Sequence, residues 1–185
     1  MNKIEEQALI KQAKHDPEAF GAIFDAYYDQ IFGYVLKRVG DVHLSQDITA
    51  ETFFKALDRL WQFQWRNISI LSWLYRIATN ETNQYFRGDK KRLFSLDKIL
   101  AENNVDFPDD VDILEEVINQ EREMERAEDW IRIRKLLQKL PEKYQAVVAL
   151  RFFEDKKISE IAEILGKKEG TVKSLLSRAL AQMRL

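Results

Sequence analysis

Apolar residues in this chain recur at intervals of three and four far more often than two, and no alternating valine or isoleucine run is bounded by turn residues. The pattern predicts helices throughout and an all-α fold. From Pro17, which suits the first turn of a helix, Phe20, Ile23, Phe24, Tyr27 and Ile31 form one apolar stripe. Ile31, Val35 and Val39 form a second that stops at Gly40, so the two read as a core-facing helix pair. A third helix is expected from about Ser45 to Trp61, with Ile48, Thr52, Phe53, Ala56 and Leu60 inward. A fourth runs from Ser72 toward Arg87, with Leu74, Ile77, Ala78 and Tyr85 inward.

Beyond the basic cluster Arg87, Lys90, Lys91 and Arg92, the chain turns acidic through Asp97, Glu102, Asp106, Asp109, Asp110 and Asp112. An irregular stretch of that length joins two domains more readily than it belongs to one. Helical pattern resumes near Ile113 and continues to Leu140, and Pro141 opens a further helix, Glu142 to Phe153. Ile158, Ile161, Ala162 and Leu165 then make a short stripe closed by Gly166, and Val172, Leu176, Ala179, Leu180 and Met183 make another. Only Gly166 to Glu169 separate them, which is the spacing of a helix-turn-helix. The organisation is therefore two small helical domains, an N-terminal bundle (residues 1–94) and a C-terminal helix-turn-helix domain (121–185), joined by an acidic linker (95–120).

Charge sharpens this division. The net charge of -2 conceals 13 Lys+Arg against 12 Asp+Glu in residues 1–92, 3 against 13 in 93–130, and 13 against 6 in 131–185. The basic C-terminal piece is what a phosphate backbone requires. On the last helix Lys173, Ser174, Ser177 and Arg178 fall away from the apolar stripe, with Lys168 and Thr171 at its start. Ser174, Ser177 and Arg178 are the candidates for base edges and Lys168 for phosphate, the alternative being a hairpin inside another bundle. On the fourth helix Arg76, Asn80, Asn83 and Arg87 line up on one face, either as a nucleic-acid surface or as a solvated one. The preceding loop mixes Phe63, Trp65, Arg66, Asn67, Ser69 and Trp73, which suits capture of an unstacked base, although Phe63 and Trp73 serve equally as core anchors. The third helix turns Asp47, Glu51, Phe54 and Asp58 outward, an acidic face around one large apolar residue, and fits an Arg-rich protein partner.

Enzyme chemistry has little to work with. There is no cysteine, only His15 and His43, and no glycine-rich phosphate loop. The aspartates Asp106, Asp109, Asp110 and Asp112 lack the glycine of a calcium loop. No catalytic residue, metal or cofactor is expected. With 45% hydrophobic and 32% charged residues, two acids among the first ten, and no run of about 20 apolar residues, the chain is expected to be cytoplasmic, without a membrane span.

These residues carry a resemblance. DITAETFFKAL (Asp47 to Leu57) and SWLYRIATNETNQYFR (Ser72 to Arg87) resemble region 2 of bacterial RNA polymerase sigma factors of the extracytoplasmic-function (ECF, group 4) type in the sigma-70 family. The stretch from Leu137 to Arg184 resembles their region 4. The resemblance implies that Asp47, Glu51, Phe54 and Asp58 dock on the clamp helices of the β′ subunit of core RNA polymerase, and that region 4 sits on the β flap. It implies that Arg66, Asn67 and Ser69, with Trp73, Arg76, Asn80, Asn83 and Arg87, melt and capture the minus-10 element of promoter DNA. It also implies that the last helix reads minus-35, that the acidic linker threads the polymerase cleft, and that an anti-sigma protein is a common partner. The family's region 3 domain has no counterpart between Leu93 and Glu128. Ala50 stands where the family often has Gln, Lys157 where a capping Ser is common, and Leu175 where a basic residue often faces DNA, a change expected to weaken phosphate binding. The competing function is a stand-alone helix-turn-helix regulator with an N-terminal sensing or dimerising bundle, which would bind its duplex unaided.

Overall fold

The computed structural model describes residues 3–64, 69–96, 133 and 135–183, and among them it is helical with no strand. Helix α1 (Lys3–Ala13) leads to Asp16, whose carboxylate accepts from the Glu18 amide and caps a 3-10 turn at Pro17–Ala19. Helix α2 (Phe20–Val39) ends at Gly40, where φ of 82° lets the glycine amide donate back to the Leu36 carbonyl at 2.8 Å. The next residue, Asp41, caps α3 (Val42–Arg59) through the Leu44 amide at 2.7 Å. A 3-10 turn (Leu60–Gln62) closes α3, and α4 (Ile70–Leu96) completes the N-terminal group. A helical segment at 135–139 precedes α5 (Glu142–Val148), which widens into a π-type turn at Ala149–Phe153. Helix α6 (Ile158–Leu165) ends at left-handed Gly166, and α7 (Glu169–Met183) follows.

The N-terminal core is built from Phe20, Ile23, Ile31, Tyr34 and Val35 of α2, Ile48, Phe53 and Ala56 of α3, and Leu74, Ile77 and Ala78 of α4. Four threonines, Thr49, Thr52, Thr79 and Thr82, are buried among them. Each donates its hydroxyl to the carbonyl four residues back at 2.7 Å, which satisfies the polar atom inside the helix that carries it.

Several expectations are corrected. The two stripes from Phe20 to Val39 belong to one continuous helix, because Ile31 lies on both and no breaker interrupts the backbone. Phe24 lies at the rim of the core, against Tyr28 and Phe53. In α7 Leu180 is exposed, on the line of Lys173 and Ser177, while Leu175 is buried and fills the place beside Leu176. The acidic stretch from Asp97 onward, and the part of the expected following helix that spans 113–132, lie outside the described residues.

Helix α1 was not foreseen. Its inward face is Glu6, Ile10 and Ala13, a stripe that begins on a charge. The buried Glu6 carboxylate accepts from the Ile70 amide at 2.8 Å, capping α4 from another helix, and from the Tyr27 hydroxyl at 3.5 Å. Burial, then the nearby Glu6 charge, pushes the Tyr27 phenol up to about 12. Glu6→Ala strands the Ile70 amide, so a loss of about 1–3 kcal/mol is expected in chemical denaturation. A midpoint equal to that of the parent would show that α1 does not hold the start of α4.

The N-terminal and C-terminal helices pack against each other, α4 on α6 and α2 on the π-type turn. At the centre of this contact Glu154 accepts from the Tyr75 hydroxyl at 2.5 Å and from Lys37 at 2.8 Å. Burial, reinforced by the Glu154 hydrogen bond, raises the Tyr75 pKa and keeps the phenol protonated as the donor. The Lys156 ammonium lies 5.3 Å from the centroid of the Tyr75 ring.

Candidate nucleic-acid interface

Helix α4 turns Leu74, Ile77 and Ala78 into the core and thereby brings Arg76, Asn80, Asn83 and Arg87 to one face. Asn80 and Arg87 are exposed, and Arg76 and Asn83 are half-buried. The half-buried pair is already engaged. Arg76 donates from Nε to the Ile164 carbonyl at 3.1 Å and from Nη2 to the Glu163 carbonyl, both in the last turn of α6. The Glu163 carbonyl also accepts from the amide of the C-cap residue Gly166 at 3.2 Å, and the negative end of the helix dipole favours a cation beside these last-turn carbonyls. Asn83 receives the Arg38 guanidinium at 2.7 Å.

Of the preceding loop, Trp65, Arg66 and Asn67 lie outside the described residues. Ser69 works as a cap, its hydroxyl accepting from the Ser72 amide at 3.2 Å. Trp73 is half-buried, tilted on the buried Phe63 with ring centroids 5.1 Å apart. The anchor role is therefore real for Phe63 and partial for Trp73.

In α7 the inward residues Val172, Leu175, Leu176 and Ala179 leave Lys168, Thr171, Lys173, Ser177 and Arg178 exposed, with Ser174 half-buried. The burial of Leu175 corrects the expectation that it weakens a DNA contact: a side chain packed into the core occupies no place on the DNA-facing side. The Lys157 departure resolves differently. Glu160 accepts from the Lys157 amide at 2.8 Å, so half of a capping box forms, while the lysine side chain has no acceptor to return to Glu160.

On α3, Asp47, Glu51, Phe54 and Asp58 are all exposed. Phe54 is 66% exposed and Trp61 71%, and with Leu57 they form an apolar strip at i, i+3 and i+7 beside the acids. Phe54 stands out in the sequence as an outward apolar residue, whereas Trp61 marks only the expected end of the helix there. The signal was its spacing from Phe54. Glu51 and Glu81 both engage Lys55, at 3.1 and 2.6 Å, and the Glu81 hydrogen bond raises the Lys55 pKa. Asp47, Glu51 and Glu81 together line a shallow groove of about 600 Å³ between α3 and α4. Among the described residues no group of three His, Cys, Asp or Glu stands together as a metal site would, and no helix is long and apolar enough to cross a membrane.

Residues 23–92 match the family model described as Sigma-70 region 2, and residues 130–183 match Sigma-70, region 4. Among curated proteins, the chain is 31% identical over 176 residues to the ECF RNA polymerase sigma factor SigW of Bacillus subtilis, covering 95% of this chain and 92% of SigW. It is 30% identical over 174 residues to the ECF RNA polymerase sigma factor BldN of Streptomyces coelicolor, covering 93% of this chain but spanning only 62% of BldN. Among solved structures, similar chains include CnrH in complex with the cytosolic domain of CnrY, at a TM-score of 0.66 and 18% identity, with 97% of this chain and 94% of that one covered. The sigma factor RpoE of Bartonella quintana, in complex with the anti-sigma factor NepR, is similar at a TM-score of 0.65 and 18% identity, with 89% and 94% covered. At that identity both show the fold.

Proposed function

Because the chain belongs to the sigma-70 family of RNA polymerase sigma factors, in its ECF branch, we propose that it docks on core RNA polymerase through α3 and places two DNA readers on one promoter. In this reading the α4 face melts and holds the minus-10 element. The outward side of α7 reads minus-35 as duplex. Asp47, Glu51, Phe54 and Asp58 meet the β′ clamp helices, and the C-terminal domain rests on the β flap. Residues 1–94 and 121–185 act as the two working units, with 95–120 as the acidic connection through the cleft. The reading places the protein in the cytoplasm, beside polymerase and chromosome, and gives it no catalytic residue. An anti-sigma protein is a further partner in this reading, as NepR is for RpoE.

The observation that carries it is the pairing in one chain of a hydrogen-bonding α4 face with a basic, polar α7 face, each within its own matching sigma region. Co-purification with core polymerase and promoter-dependent transcription in vitro test it. Both are expected; failure of both, or tight selective binding of intact duplex by the chain alone, overturns it.

Arg178 has the reach and the fork geometry to read a guanine edge from the major groove. Arg178→Ala is expected to cost about 1–3 kcal/mol on a matched minus-35 element and to relax discrimination at one position. Equal losses on matched and scrambled elements would assign Arg178 to phosphate.

A further inference from the structure

Arg38 is the largest side chain among those fully buried, at 1% exposure, and none of the ion pairs among the described residues includes it. Its guanidinium carbon lies 5.5 Å from the centroid of the Tyr34 ring, Nη1 donates to the Tyr34 hydroxyl at 3.2 Å, and Nη2 donates to Asn83 Oδ1 at 2.7 Å. The Nε donor has no partner among the described residues. A buried cation held by neutral acceptors is costly, so its place calls for a reason beyond packing.

The direction of every bond in this cluster is fixed by counting hydrogens. Thr79 gives its single hydroxyl hydrogen to the Tyr75 carbonyl at 2.7 Å. In the 2.7 Å contact between Tyr34 and Thr79, Tyr34 must therefore donate, and it accepts from Arg38. Arg38 has only donors to offer, so Asn83 must turn its oxygen inward. What Asn83 has left for another molecule is its amide hydrogens, made more acidic by the cation on the oxygen.

We propose that Arg38 is a positioning residue that locks Asn83 into one amide orientation, so that Asn83 presents donors, and no acceptor, to a hydrogen-bond acceptor on the minus-10 strand. The acceptor is a base edge or a phosphate oxygen. This rests on the minus-10 assignment of α4 made above and adds the polarity of one contact and the residue that sets it.

Asn83→Asp separates the two roles. The carboxylate keeps the Arg38 bond and neutralises the buried charge, but brings no hydrogens to DNA. With core polymerase and a matched promoter, the thermal midpoint of the free variant is expected to equal or exceed that of the parent, while permanganate reactivity of the melted minus-10 thymines falls about tenfold. The ratio of parent to variant should hold from about 50 to about 300 mM salt, since repulsion by the new charge would be screened and a missing donor would not. Arg38→Met, which leaves Asn83 free to rotate, is expected to reduce melting and, where the acceptor is a base edge, to flatten base preference within the minus-10 element, and Arg38→Lys to restore part of the melting. A defect confined to one base position assigns the acceptor to a base edge, and a uniform defect to phosphate. Full melting by Asn83→Asp, a defect that disappears with salt, or undiminished melting by Arg38→Met overturns the proposal. If the unaltered chain gives no promoter-dependent melting with core polymerase, the minus-10 assignment itself fails, whatever the variants do.

Discussion

Glu154→Ala is expected to separate the two helical groups in free solution. The carboxylate is held within the contact between them, its side chain only 8% exposed, and it satisfies both the Tyr75 hydroxyl and the Lys37 ammonium. Removing it leaves a buried phenol without its partner, a cost of about 1–3 kcal/mol, and every 1.4 kcal/mol shifts the balance between packed and parted forms about tenfold. The packed form cannot be the one that works in the proposed function. Minus-10 and minus-35 elements lie about 25 base pairs apart, about 85 Å along B-DNA, whereas a compact chain of this length has a radius of gyration of about 16 Å. The packed form also occupies Arg76 with the α6 carbonyls, so DNA must displace those acceptors before the arginine meets a phosphate. Small-angle scattering should show the radius of gyration of the variant well above that of the parent at equal concentration, while far-ultraviolet circular dichroism stays the same. Superimposable scattering curves would show that Glu154 does not hold the groups together. Tyr75→Phe, which removes the same hydrogen bond from the other side and keeps the ring, should move the curve in the same direction and by less.

The contrast between what the chain announced and what it concealed follows from the kind of interaction involved. Helix ends were legible where a local residue type decides them: Pro17, Gly40 and Gly166 all stand where the backbone turns. The inward faces of α3 and α4 were legible because apolar residues recur along them at three and four, whereas the buried Thr49, Thr79 and Thr82 among them, which satisfy their hydroxyls within their own helices, left no such mark. Helix α1 was not, because the residue that ties it to the fold is a glutamate whose partner, the Ile70 amide, is 64 positions away. Arg38 was hidden for a related reason. A basic residue in the last turn of a helix reads as a solvated group favoured by the dipole, and only its place four residues after Tyr34 hinted that it points inward. Leu175 and Leu180 show the resolution of a helical wheel: both border the apolar stripe, and which one is buried depends on where the neighbouring helices lie. The contact through Glu154 had no periodic signal at all, being single polar bonds across positions 79 and 117 apart.

Phe54→Ala should produce the largest loss of polymerase affinity of any single change on α3. An aromatic side chain 66% exposed contributes little to folding, so the free variant should match the parent within about 0.5 kcal/mol in denaturation. At an interface the same ring becomes an anchor, and truncating a central aromatic costs about 2–4 kcal/mol, a factor of about 30 to 1,000 in Kd. Phe54 is central because Leu57 and Trp61 continue the apolar strip on one side while Asp47, Glu51 and Asp58 flank it. The acids should behave differently. Glu51 is tied to Lys55 at 3.1 Å, so Glu51→Ala removes a charge already partly neutralised, whereas Asp47→Ala and Asp58→Ala remove rim charges that have no ion pair among the described residues. Those two should slow association with core polymerase and weaken its salt dependence, with little change in dissociation. Titration of labelled chain with core polymerase at two salt concentrations separates these effects. If Phe54→Ala binds core polymerase as tightly as the parent, α3 is not the docking helix. If it loses binding while Asp47→Ala and Asp58→Ala leave the association rate and its salt dependence unchanged, the partner surface is apolar there and lacks the arginines that the acidic face requires.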